Sequence, residues 1–139
     1  VNILTTRAMK SETLTVFGGE QWRPILHVKD VGEALCHCLE NEVTGLYNLS
    51  YKNIKIYQIA EEIAKVIDKV KIEYAHMNYE DLRNYRVKTD RIMATGWKPR
   101  YNITDGIREV AKLIEEHRIV DTNDPVYHNA AFVEGNHGN

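Results

Sequence analysis

From Asp30 onward the apolar positions Val31, Ala34, Leu35, Cys38 and Leu39 recur at the three- and four-residue spacing of one helix face. Asp30 and Glu33 have the separation of a capping box, so this pattern predicts a helix over 31–40 that Asp30 opens. The same period returns in Ile56, Ile59, Ala60, Ile63, Ala64 and Ile67, with Glu61, Glu62 and Lys65 on the opposite side, and predicts a helix over 56–67. Ile103, Ile107, Val110, Ala111 and Ile114 predict a last long helix over 103–117, starting near Asn102 or Thr104. A shorter helix is expected over 89–95, capped by Thr89 or Asp90 and stopped by Gly96. Residues 2–10 are helical in character but weakly patterned. Short β-prone runs fall at 13–17, ending in Gly18-Gly19, at 24–28, and at 45–49, where Gly45 opens the run. Lys71 to Met77 alternates loosely and is a further strand candidate, followed by a polar loop from Asn78 to Arg83. Helices interleaved with short strands place the chain in the α/β class.

At 139 residues, 43% hydrophobic and 27% charged, the chain has the composition of one globular domain with enough apolar residues for a core. The formal net charge of −2 offers no basic excess for a phosphate backbone, which argues against nucleic acid as a partner. No apolar run reaches the ~18 residues of a membrane span, and Val1-Asn2-Ile3-Leu4 lacks the basic flank and long apolar core of a signal peptide. A cytoplasmic location is expected. A start without methionine or helix cap suggests a chain that begins inside a longer polypeptide. Beyond Asp121 the sequence turns polar, and a docked strip around 124–129 followed by a disordered end over 128–139 is expected.

Cys36 and Cys38 are the only two cysteines and flank His37. Residues two apart on a helix point about 200° apart, so the two thiols cannot reach one ion, and Cys38 reads as a thiol on the apolar face. The six histidines show no pair with ligand spacing, and no metal is expected. His27, inside a β-prone run, reads as a packed side chain with one hydrogen bond rather than an acid or base.

The run Gly18-Gly19-Glu20-Gln21-Trp22-Arg23-Pro24-Ile25-Leu26-His27-Val28-Lys29-Asp30-Val31 resembles the second half of extended short-chain dehydrogenases that act on nucleotide-sugars, the NAD-dependent epimerases and dehydratases. Gly45-Leu46-Tyr47-Asn48-Leu49, Arg83-Asn84-Tyr85-Arg86-Val87 and Gly96-Trp97-Lys98-Pro99 follow in that family's order. The resemblance implies a Rossmann-type fold of which this chain is the C-terminal substrate-binding part, spanning 1–127, with the N-terminal dinucleotide-binding part absent. It also implies NAD as cofactor of the parent enzyme and a nucleotide-diphosphate sugar as ligand.

Two pieces of the family's chemistry are not met. A dinucleotide cradle needs a Gly-rich turn opening a helix, whereas Gly18-Gly19 precedes a strand. The family's Tyr-x-x-x-Lys pair has one formal match, Tyr51 and Lys55, which lies in a turn before the 56–67 helix and on the wrong side of the Arg23 segment. No catalytic residue, and no cofactor bound by this chain alone, is therefore expected. By resemblance, Arg23 is the leading contact for the diphosphate, against a bland alternative of a surface salt bridge with a neighbour such as Glu20. Arg83 is the second cation, Tyr85 lies in the same substrate-contacting stretch, and Phe17 matches an apolar residue beside the nucleobase or is simply core. Arg86, alternating away from Tyr85 in an extended segment, is not carried over. Two readings stand: the nucleotide-sugar-binding part of an NAD-dependent sugar epimerase or dehydratase, inactive alone, or a stand-alone non-catalytic binding or structural module of the same fold. Apolar faces that lack partners make an oligomer, or a weakly stable isolated chain, the expected state.

Overall fold

The computed structural model describes residues 1–75 and 84–127. Ten elements follow in order: α1 (Asn2–Met9), β1 (Leu14–Phe17), β2 (Trp22–Ile25), α2 (Val28–Glu40), β3 (Lys52–Lys55), α3 (Ile56–Val66), β4 (Ile72–Ala75), α4 (Asp90–Met93), α5 (Ile103–Glu115) and a 3-10 turn (Pro125–Tyr127). The fold is α/β. β1 pairs in parallel with β4, in the register Leu14 to Ile72 through Phe17 to Ala75, and α3 lies in the connection between them. β2 and β3 form a separate antiparallel pair that matches Trp22 with Lys55 and Arg23 with Ile54.

The main core lies where α1, α3 and α5 meet β1 and β3. Leu14, Val16, Ile54, Ile63 and Ile107 are its largest fully buried side chains, and Ile59 and Ile63 come from the face that the period predicted. A smaller cluster of Ala34, Ile92 and Trp97 joins α2 to α4 and the segment after it. No helix among the described residues is long and apolar enough to cross a membrane.

Three elements differ from the pattern-based expectation. The strand expected at 24–28 lies two to three residues earlier, because Leu26 and His27 are already the entry to α2. Residues 45–49 form no strand, and Leu46 is 85% exposed. The partner of β2 is instead Lys52–Lys55, and the ladder is extended by Tyr51 N–H donating to Ile25 O at 2.7 Å. β-propensity alone could not choose between the two neighbouring runs, since strand identity here follows from which segment reaches β2.

Asp30 does not cap α2. The helix begins at Val28, and His27 Nδ1 accepts from Lys29 N–H at 3.2 Å. Asp30 lies within the first turn, fully buried, and takes the backbone N–H groups of Arg100 (2.8 Å) and Tyr101 (3.2 Å) on its two oxygens. Glu33, its supposed capping partner, pairs with the Arg100 guanidinium at 3.1 Å. The cap of α5 is as expected: Asn102 and Asp105 exchange side-chain to backbone bonds of 3.1 and 2.8 Å. Lys55, which cannot accept a bond, precedes α3, and the start of that helix is held by Gln58 Oε1 accepting from Lys55 N–H at 3.0 Å.

Gly19 joins the two strand pairs. Its φ is +65°, its carbonyl accepts from Tyr57 N–H at 3.1 Å, and a Cβ would meet Tyr57 Cβ and Val16 Cγ1 at 3.2 Å. Gly19→Ala is therefore expected to cost about 1–3 kcal/mol, from left-handed strain plus crowding against a side chain of the core. A urea titration checks this, and an unchanged midpoint would show that the turn relaxes freely.

Candidate functional site

Ligands of parallel α/β sheets bind beyond the carboxyl ends of the strands, where loops carry the polar groups. In this chain those ends are Phe17 and Ala75, joined by Gly18 N–H donating to Ala75 O at 3.2 Å. Phe17 stands 51% exposed there, so it is not a core side chain. Gly18 and Gly19 turn the chain into β2, a strand, which leaves no helix N-terminus at these glycines to receive a pyrophosphate. They do not fit a dinucleotide cradle.

Past this turn, at the start of β2, Trp22 lines an open cleft of about 790 Å³ together with Asn53, Asn84, Tyr85, Arg86 and Lys88. Asn53 holds its far wall through two 2.9 Å bonds: its amide donates to Val87 O and its carbonyl accepts from Val87 N–H. Trp22 N–H donates to Asn84 Oδ1 at 3.0 Å. The indole of Trp22 has two cations near it, Lys55 Nζ at 5.5 Å and the Arg86 guanidinium at 5.2 Å from the ring centroid. Lys55 also pairs with Glu20, and that hydrogen bond, outweighing a smaller desolvation effect, raises the lysine pKa above its ordinary value. Lys55 therefore stays charged across the neutral range.

The structure brings some of the expected residues together and separates others. Tyr85, 53% exposed, lines the cleft. Arg23 is half-buried at the adjoining strand position, opposite the buried Ile54. Successive strand side chains alternate, so it occupies the other face of the β2–β3 pair from Trp22. Its Nη1 donates to Trp22 O at 2.9 Å. Glu20, the salt-bridge neighbour considered for it, is engaged by Lys55. Arg83 lies outside the described residues, as does the expected tail over 128–139. Trp22 and Asn53 were not singled out as site residues by the sequence, Lys55 entered only as the formal partner of Tyr51, and Arg86 was set aside. Arg86 and Tyr85 both line the cleft because residues 84–88 form no sheet and follow no strict alternation; Asn53 fixes them instead.

Tyr51 and Lys55 do not line the same cavity. Tyr51 lines a different cavity of about 250 Å³ with His27 and Tyr101, while Lys55 turns towards Glu20 and Trp22. His27 is packed: its ring stacks on Tyr101 at 4.7 Å, and Nε2 lies 3.2 Å from Glu109 Oε2. The hydrogen bond from Lys29 Nζ is the main cause of a lowered Glu109 pKa. Cys36 is exposed and Cys38 half-buried, and His37 Nε2 bonds Thr95 Oγ1 at 2.9 Å.

Against known proteins, the model of the NAD dependent epimerase/dehydratase family matches residues 1–50. UDP-glucuronic acid decarboxylase 4 of Arabidopsis thaliana is 31% identical over 118 residues, which are 81% of this chain and 26% of that protein. The fold is similar to that of dTDP-glucose 4,6-dehydratase from Bacillus anthracis in complex with NAD (TM-score 0.68, 23% identity, 84% of this chain and 39% of that one). It is similar also to UDP-N-acetylglucosamine 4-epimerase from Methanobrevibacter ruminantium in complex with UDP-N-acetylmuramic acid (TM-score 0.69, 20% identity, 82% and 38%). The chain thus spans about a quarter of the length of the curated relatives it matches.

Proposed function

We propose, on the premise that this chain belongs to the NAD-dependent epimerase/dehydratase family, that its residues 1–127 are the nucleotide-sugar-binding part of such an enzyme. The observation that carries this reading is the cleft at Trp22, three residues past the Gly18-Gly19 turn, where Arg86 and Lys88 line the wall with Tyr85. A nucleotide-sugar needs this kind of surface, with cations for the diphosphate and aromatic edges for base and sugar. Tyr85 and Arg86, which lies over Trp22, are the contacts in the cleft in this reading, and Arg23, Arg83 and Phe17 are kept as contacts for the part of the ligand that extends past the Trp22 face. The complexes named for two relatives, one with NAD and one with a UDP-sugar, support the two ligand classes for the family.

In the whole enzyme, NAD supplies a transient hydride transfer at the sugar. Since Gly18-Gly19 does not fit the cofactor and Tyr51 and Lys55 are apart, this part binds and orients the sugar nucleotide and carries out no step of the hydride transfer. Calorimetric titration of the 139-residue chain with UDP-glucose, dTDP-glucose and NAD in separate runs tests this. Heat of binding is expected from at least one sugar nucleotide and none from NAD, with no turnover. NAD binding more tightly than either sugar nucleotide, or no response to any of the three, would overturn the proposal.

A further inference from the structure

The register of β2 and β3 sets Trp22 opposite Lys55 and Pro24 opposite Asn53, so these four share one face of the ladder, and Arg23 and Ile54 share the other. Residues 84–88 line the cleft on the Trp22 face without forming a strand. Among the described residues, their backbone is gripped at one place. That place is Val87, whose N–H and C=O are both bonded at 2.9 Å by the side-chain amide of Asn53. The bond from Trp22 N–H ends on the Asn84 side chain and does not touch that backbone. Asn53 thereby supplies, from one side chain, the donor and the acceptor that a neighbouring strand would supply. We propose that Asn53 is a positioning residue of the cleft: by holding Val87 it holds the Arg86 guanidinium over Trp22, ready for the diphosphate of the ligand. This inference rests on the nucleotide-sugar reading of the cleft.

Arg86 is the residue that this grip controls most directly. It immediately precedes Val87, it is exposed, and its guanidinium lies 5.2 Å from the centroid of the Trp22 ring. It has no hydrogen-bond or carboxylate partner among the described residues, so its N–H donors remain for a phosphate. A long exposed side chain loses rotamer freedom when it binds an anion. One whose backbone is fixed and whose head already rests on an indole has lost part of that freedom before the ligand arrives, and affinity gains by the difference. Lys55, the other cation at this ring, is held by Glu20 and does not depend on Val87. The residue type fits the task. An asparagine amide carries a donor and an acceptor on one planar group, whereas an aspartate has no donor and an alanine has neither.

Wild type, Asn53→Ala, Arg86→Ala and the double variant, each confirmed as folded by circular dichroism, test the proposal. Titrated with UDP-glucose and with dTDP-glucose, Asn53→Ala should bind roughly three- to tenfold more weakly than wild type, and Arg86→Ala at least as weakly as that. The double variant should bind no more weakly than Arg86→Ala alone, because a residue that acts through Arg86 then has nothing left to position. A merely structural Asn53 would add its own loss to that of Arg86. Without ligand, the Trp22 emission of Asn53→Ala should move to that of Arg86→Ala, with the buried Trp97 as a constant background. Asn53→Ser, a shorter polar side chain that cannot span both bonds, carries the same expectations and takes the place of Asn53→Ala if that variant unfolds. Additive losses overturn the proposal, and so does an Asn53→Ala affinity equal to that of wild type. A wild type that binds neither sugar nucleotide refutes the nucleotide-sugar reading, and the emission then decides the positioning by itself: unchanged in Asn53→Ala, it overturns the hold on Arg86, and moved to the Arg86→Ala value, it upholds it.

Discussion

Replacing Asp30 with alanine is expected to remove about 3–5 kcal/mol of folding stability, the largest single loss anticipated for a polar residue of this chain. Asp30 has no exposed surface and accepts two backbone N–H groups, from Arg100 at 2.8 Å and Tyr101 at 3.2 Å. Bonds to a charged acceptor contribute about 1.5–3 kcal/mol each, and truncation leaves both donors without their acceptor. These bonds tie the first turn of α2 to the residues just ahead of Asn102, which caps α5, so the damage should extend to the start of that helix. Asp30→Asn keeps the volume and one acceptor oxygen but turns an NH2 group towards a donor, and about half of the loss is expected. Urea unfolding gives the magnitudes, and hydrogen exchange at the amides of Arg100 and Tyr101 locates them. A loss below about 1 kcal/mol for Asp30→Ala, with unchanged exchange at those amides, would show that water replaces the carboxylate without penalty.

The second large effect concerns ligand affinity and rests on the proposed function. Arg23→Lys is expected to weaken nucleotide-sugar binding by roughly ten- to more than a hundredfold, the equivalent of about 1.5–3 kcal/mol. A guanidinium presents two parallel N–H donors to a phosphate, and an ammonium cannot reproduce that fork. Pro24 fixes the backbone immediately after Arg23, and pairing with Ile54 fixes it across the ladder, so the side chain starts from a rigid strand rather than a mobile loop. The substitution also removes the 2.9 Å bond to Trp22 O, a cost of about 0.5–1.5 kcal/mol that a melting curve would register separately from affinity. Parallel titrations of sugar nucleotide into wild-type and variant chains decide the matter: equal affinities would remove Arg23 from the site and leave Arg86, on the Trp22 face, as the cation to test next.

What the sequence determined by itself were the elements whose signal is local. The isoleucine period of α3 and α5 marks which side chains are buried, because a helix repeats every 3.6 residues whatever surrounds it, and Ile59, Ile63 and Ile107 are buried as that period requires. Asn102 and Gly96 were legible for the same reason: caps and left-handed stops are satisfied within a few residues, and Gly96 has φ +99°. The order of four short motifs was enough to indicate the family. Tertiary structure alone decided what depended on distant partners. Asp30 and Glu33 have the spacing of a cap, but their acceptors are spent on residues 100 and 101, some seventy positions away. The α2 pattern correctly announced a helix, yet periodicity cannot say which side of a stripe meets the core, and here Leu35 and Leu39 face outward. The cleft was illegible for a related reason: Trp22, Lys55 and Arg86 meet only because β2 pairs with β3 and Asn53 pins Val87. Contacts of that range leave no periodic trace in the chain that makes them.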